Sequence, residues 1–340
     1  MLATIWFLLW GVLWAVYFIL DGFDLGLGAL SPFLARNESE KKAVYHALGP
    51  MWNGNEVWLI TAGGVTFAAF PTTYAVMFSS LYSALMLVLF ALIVRGVSLE
   101  FRGLVESPGW RRFWDWGFFI GSFLPALLFG VAFANIFMGL PLNAEGINQG
   151  GLLDLLNPYG LLGGLLFLSL FLQHGALWLA LRTEGDLSRR AGGLATGLWI
   201  PVLVLAVLFL TATYGYTGLW NNYFNNPVLL VLPALAVVCL LLTRVKMAGK
   251  SWGGAWVFSA GTIALATLFG VIGLYPNLIP SSLNASWSMT ISNSASSALT
   301  LKIMLGVALV FVPIVIIYQA LVYRAFFYKI TGEHLKEEMY

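Results

Sequence analysis

The sequence predicts an all-α integral membrane protein with nine transmembrane helices. Three observations carry that reading. Of 340 residues, 60% are hydrophobic and only 9% are charged, against roughly 25% charged in an ordinary soluble domain. The mean hydropathy is +0.86. Charge-free runs cover 1–20, 57–94, 116–144, 155–181, 191–243, 251–301 and 303–323, and a helix needs ~20 apolar residues to cross the hydrocarbon core. Apolar residues run continuously instead of alternating, which excludes a transmembrane barrel. A net charge of +2 without a basic run argues against nucleic acid as a partner. The single cysteine, Cys239, excludes a disulfide framework, a Cys-based zinc site and a Cys-ligated iron–sulfur cluster.

Helix 1 is placed at 3–32. It lacks a basic leader and continues through Asp21 and Asp24, so it reads as a retained span and not as a cleavable signal peptide. Segment 38–50 carries Glu38, Glu40, Lys41, Lys42 and His46 and reads as a surface turn or short interfacial helix. Phe70-Pro71-Thr72-Thr73-Tyr74 separates helix 2 (51–70) from helix 3 (74–101). Helices 4 (115–138) and 5 (158–182) occupy the next two runs. The two longest runs exceed one span each. Gly215, Gly218 and the Asn-rich stretch around Asn221 divide the first into helices 6 (193–213) and 7 (227–244). Pro276, Pro280 and a Ser/Asn-rich stretch divide the second into helices 8 (254–275) and 9 (298–328). Leu-Phe-Gly-Val recurs at 128–131 and 268–271, in helices 4 and 8, which fits two four-helix units plus one extra helix.

Lys and Arg placement sets the expected orientation. All but Lys302 of the 17 basic residues lie on one side: between helices 1 and 2, 3 and 4, 5 and 6, or 7 and 8, at the helix ends that adjoin those loops (Arg95 a turn or two inside helix 3), or at the C-terminal end. Basic loops stay in the cytoplasm. The N-terminus is therefore expected outside and the C-terminus inside, with 329–340 as a cytoplasmic tail. Lys302 either snorkels to the outer surface or meets an anionic lipid or partner carboxylate.

Charges inside a span are costly and are functional candidates by default. Helix 1 carries Asp21 and Asp24 in Leu-Asp-Gly-Phe-Asp-Leu-Gly-Leu-Gly, and Gly22, Gly26 and Gly28 there permit close helix approach. Helix 2 opens with Trp52-Asn53-Gly54-Asn55-Glu56-Val57-Trp58, which places Asn53 and Glu56 one turn apart. Both clusters lie in the cytoplasmic half, within reach if the two helices pack as a hairpin. One reading is a hydrated half-channel for protons; the other is interfacial capping. Asp24 fits either, while Glu56, deeper in its helix, fits the first better. Arg95, Glu100 and Arg102 form an ion-pair group or simply snorkel. Asp115, between Trp114 and Trp116, reads as an interfacial helix start. His174 is the one histidine positioned as a haem ligand, but a bis-His cytochrome needs paired ligands. A buried His bonded to a neighbouring helix is the plainer reading. Trp6, Trp10 and Trp14 read as an aromatic belt or lipid-facing stripe.

From Gly49-Pro50-Met51-Trp52-Asn53-Gly54-Asn55-Glu56-Val57-Trp58 through Gly64 the chain closely resembles subunit II of the cytochrome bd-type quinol oxidases. The resemblance extends to Asp21-Gly22-Phe23-Asp24-Leu25-Gly26, to the stretch Arg95–Arg102, and to Trp114-Asp115-Trp116-Gly117. It continues through Gly121–Pro125, Leu156–Gly160 and Pro276–Ser282, so the blocks span nearly the whole chain in order. The resemblance implies a respiratory terminal oxidase of the bacterial or archaeal inner membrane that oxidises quinol and reduces dioxygen to water. It implies two haems b and one haem d held by a larger subunit I, with this chain as a haem-free partner that helps supply protons. It implies a fold of two four-helix bundles, here 1–138 and 158–275, plus a peripheral helix at 298–328. A small single-helix subunit, membrane lipids and a structural quinone are further expected associates. The proton role passes to Asp21, Asp24 and Glu56. Many relatives carry Asp where this chain has Asn53, and Asn cannot titrate, so Glu56 takes over or protons enter elsewhere.

Two other functions fit the residues alone. An autonomous proton-coupled transporter would also use buried carboxylates and Gly/Pro-interrupted helices. A purely structural partner would need no titrating group.

Overall fold

Long apolar runs closed by polar turns dictate long helices, and the computed structural model, which describes residues 1–331, has them. The helices are α1 (Leu2–Leu34), α2 (Glu38–Leu48), α3 (Trp52–Ala69), α4 (Pro71–Ser80), α5 (Tyr82–Phe101), α6 (Pro108–Met138), α7 (Pro158–Arg182), α8 (Gly185–Tyr216), α9 (Trp220–Asn225), α10 (Val231–Ala248), α11 (Trp252–Leu274) and α12 (Ala298–Phe326). Residues 332–340, with His334 and Lys336 of the expected tail, lie outside the described residues.

Eight helical segments are long and apolar enough to cross a membrane; α3 is not among them. Its 18 residues include Asn53, Asn55, Glu56, Thr61 and Thr66, and at 1.5 Å per residue it spans only ~27 Å. The helix expected at 74–101 is broken at Leu81 into α4 and α5. A competing partner sits at the break: the Ser80 carbonyl accepts from Asn148 Nδ2 at 3.2 Å. The helix expected from 115 begins at Pro108, two turns earlier, with Pro in the first turn where its missing N–H costs nothing. Segment 38–50 is a true helix, α2, capped by Asn37 Oδ1, which accepts the Glu40 N–H at 2.9 Å.

α1 is the central helix, packed against α3, α6, α7 and α11. That position overturns the lipid-facing reading of its tryptophans, which are all buried. Trp6 donates to the Leu301 carbonyl of α12 at 3.1 Å, and Trp10 to Thr66 Oγ1 of α3 at 2.9 Å. Trp14 packs edge-on to Phe133 of α6. Close approach of α1 and α7 rests on glycine. A Cβ on Gly26 would strike the Phe171 backbone, and one on Gly175 would strike the backbone at Gly26 and Leu27.

On the side away from α2, two long loops are tied together. The Leu140 N–H donates to the Pro280 carbonyl at 3.0 Å, and the Ser282 N–H to the Leu140 carbonyl at 2.9 Å. Asn277–Ile279 and Met289–Thr290 form a small antiparallel ribbon there, which with isolated bridges pairing Leu140 with Ser281 and Leu142 with Asn148 makes up the β structure among the described residues.

Candidate functional site

The polar residues of α1, α3 and α5 meet in one buried cluster. Arg95 of α5 is fully buried and forks onto Asp21: Nη2–Oδ1 is 2.6 Å and Nη1–Oδ2 is 3.0 Å. The same guanidinium lies 3.3 Å from Glu56 and 3.6 Å from Asp24. A planar fork suits this bidentate grip on a carboxylate. Arg95 therefore does not snorkel. Helix α6 reaches it closely because Gly121 lacks a side chain; a Cβ there would stand 2.6 Å from the Ala91 carbonyl and 2.7 Å from the Arg95 nitrogen.

Asn55, not Asn53, completes the cluster. Its amide donates to Asp24 Oδ2 at 2.7 Å and to the Leu20 carbonyl at 3.2 Å. Its carbonyl accepts from Tyr323 at 2.8 Å and from Gln319 at 3.1 Å, both on α12. Gln319 in turn accepts from Trp58 Nε1 at 2.6 Å. Asn53 is exposed and outside the cluster, because residues two apart on a helix do not share a face. Asn55, Gln319 and Tyr323 escaped the sequence reading. The signal was present: Gln319 and Tyr323 are polar residues four apart in an otherwise apolar span.

Three carboxylates thus face one guanidinium. Ionised together they leave the buried group at net −2, so it can take up protons without stripping Arg95 of its counter-ion. Asp24 Oδ1 is buried and has no hydrogen-bond partner. Glu56 is the member that meets the surface, with 24% of its side chain exposed. It opens on a cavity of about 420 Å³ between α3 and α5, whose lining includes Trp52 and Glu100. Trp52 packs over Gly96, where a Cβ would fall 3.1 Å from its ring.

Glu100 is exposed and makes no ion pair among the described residues. Arg102 belongs to a separate surface network, 2.7 Å from Glu38 and 2.6 Å from Asp115. Asp115 also pairs with Lys41 at 2.7 Å, which makes it an anchor for α2, seven residues inside α6 instead of at its start. Glu40 pairs with Arg190 at 2.7 Å and accepts the Arg36 N–H at 2.7 Å. Burial pushes the Glu40 carboxyl up, but its bonds to Arg190 and Arg36 outweigh this and hold it below the usual range.

His174 spends both ring nitrogens on protein: Nδ1 lies 3.1 Å from Ser259 and Nε2 lies 3.2 Å from the Ile19 carbonyl. It stacks on Trp256. A haem iron would have to displace one of these bonds, so the residue does not fit an axial ligand.

The family model described as cytochrome bd terminal oxidase subunit II matches residues 2–326. The chain belongs to that family. Subunit 2 of the cytochrome bd-I ubiquinol oxidase of Escherichia coli K12 is 39% identical over 98% of this chain and 97% of that protein. Subunit 2 of the cytochrome bd ubiquinol oxidase of Bacillus subtilis is 37% identical over 96% of each. The bd oxidase structure from Geobacillus thermodenitrificans superposes with a TM-score of 0.77 at 17% identity, covering 96% of this chain and 98% of that one; this likeness speaks for the fold. This cytochrome bd family chain is therefore a terminal oxidase subunit and a multi-pass inner-membrane protein. The autonomous transporter has no support among these relatives.

Proposed function

We propose that this chain is the haem-free subunit of a quinol oxidase that reduces dioxygen to water, and that it carries cytoplasmic protons toward a haem-bearing subunit I. The observation that carries the proton role is the buried set of Asp21, Asp24 and Glu56 around Arg95, reaching the surface at Glu56. A proton arriving past Glu100 meets Glu56 first. Arg95 links Glu56 to Asp21 and Asp24, and Asn55 holds Asp24 in place. The two haems b and one haem d belong to the partner; the two protein bonds made by His174 support that division.

In this reading α3 is the ninth span, sheltered by α1 and α12, which offsets its polarity. α1, α3, α5 and α6 form the first bundle, α7, α8, α10 and α11 the second, and α12 is peripheral. The exposed apolar side chains along α12 support its lipid-facing place. The basic side is cytoplasmic, with the N-terminus outside. An apolar cavity of about 90 Å³ among α6, α7, α8, α10 and α11, lined by Phe167, Phe209 and Leu240, has room for only a few methylene groups, so a structural quinone or lipid would have to lie elsewhere or enter it by its tip alone. A small single-helix subunit would find room on the lipid-facing helices.

The test is Glu56→Gln in the purified complex. Oxygen consumption with quinol should fall on the order of 10²-fold, the contribution of a positioned proton-transfer group. Haem absorbance and co-purification of the large subunit should stay unchanged. Full turnover in this variant would overturn the proton role.

A further inference from the structure

A second polar feature lies apart from the proton cluster. Between α1, α2 and α6, on the basic side, is a cleft of about 530 Å³. Its walls carry Arg36, Lys41, Arg111 and Arg112 against only Glu38 and Asp115. Both carboxylates are already engaged. Glu38 lies 2.7 Å from Arg102 and 3.8 Å from Arg111, and Asp115 lies 2.6 Å from Arg102 and 2.7 Å from Lys41. Among the described residues neither the Arg36 nor the Arg112 side chain forms an ion pair with a carboxylate, Arg36 bonding Glu40 through its backbone N–H alone. Arg111 Nε is buried and has no hydrogen-bond partner.

The backbone adds to this surplus. α6 begins at Pro108 in the same cleft; Ser107 makes no side-chain cap, and the first turn holds no acid. The free N–H groups and positive dipole end of such a start favour an anion.

One flank of the cleft is apolar. Trp116 lines it, contacts Phe119 edge-on at 5.5 Å, and Phe119 contacts Phe33 at 6.0 Å. Phe33 is 71% exposed and Ile120 51% exposed. A cationic recess above an exposed aromatic strip has the polarity of an amphiphile with an anionic head. Basic recesses between helices on the cytoplasmic side recognise anionic lipid headgroups by this combination.

We propose that this cleft binds one anionic phospholipid, its phosphate among Arg36, Arg111 and Arg112 and an acyl chain along Trp116, Phe119 and Phe33. A zwitterionic lipid would bring a further cation into a recess that already has cations to spare.

Native mass spectrometry of the delipidated complex, titrated with phosphatidylglycerol or chain-matched phosphatidylcholine, tests this. The parent should retain phosphatidylglycerol in preference. Arg36→Gln with Arg112→Gln should weaken that retention about 30-fold, about fivefold per cation removed. Arg112→Gln alone should give the fivefold step if the double variant does not assemble. Trp116→Ala should weaken both lipids. Arg189→Gln, on the same side but paired with Asp186, should change neither. An unaltered preference in the arginine variants would overturn the site. Displacement by inorganic phosphate, together with no effect of Trp116→Ala, would make it a plain anion site and overturn the lipid assignment.

Discussion

Asn55 shows how one amide can organise several polar neighbours around a single buried carboxylate. It is the sole hydrogen-bond partner of the buried Asp24 carboxylate among the described residues, and it also holds α12 through Gln319 and Tyr323. Asn55→Ala should therefore destabilise the complex by about 1–3 kcal/mol, the cost of leaving a buried acceptor unsatisfied. Asn53→Ala, two residues away on the exposed face, should stay within about 0.5 kcal/mol. Thermal unfolding of the two variants side by side checks this, and equal losses would refute the distinction. Asp21, Asp24 and Glu56 were legible as intramembrane charges. Their partner was not: the sequence offered Glu100 and Arg102 as companions for Arg95, seven residues or fewer away. The actual companions come from α1 and α3, and only packing could bring them there.

At the scale of elements, polar segment 38–48 and its surroundings behave as a latch. Glu40 joins α2 to Arg190 of α8, while Lys41 and Tyr45 join it to Asp115 of α6. The Glu40 carboxyl is held below its ordinary range, burial opposing and the bonds to Arg190 and Arg36 prevailing. A carboxyl lowered on folding contributes stability above its unfolded pKa and loses it as the pH falls through the lower folded value. Acidification below the ordinary carboxylate range should thus loosen α2, seen as faster amide exchange at 38–48. Glu40→Gln should show much of that looseness already at neutral pH and a flatter pH response. An identical pH response in the variant would exclude Glu40 as the linking group. Element boundaries were read well where Pro, Gly or Asn stopped a run, as at α7 and α11. The break at Leu81 was not, because it depends on Asn148, far along the chain, taking the Ser80 carbonyl.

For the whole molecule, the α1–α7 crossing decides how the N-terminal and C-terminal helices fit together. Gly26 faces the Phe171 backbone there, and Gly175 faces the backbone at Gly26 and Leu27. Gly26→Val should force the helices apart and lower the yield of assembled oxidase, whereas Gly63→Val, at a position open to space, should not. Size-exclusion profiles with haem absorbance would read both, and matching yields would refute the crossing as a constraint. By itself the sequence determined that the chain is a polytopic helical membrane protein, which side is basic and which carboxylates lie within spans. These follow from the cost of placing charge and bare backbone in hydrocarbon, a property of each segment alone. Only the tertiary structure decided that the tryptophans of α1 face inward and that Arg95 serves three carboxylates. It also decided that Asn55 replaces Asn53 and that two unpaired arginines border an aromatic strip. Each of these depends on which helix lies next to which, and the long crossings that set those neighbours leave almost no local trace in the order of residues.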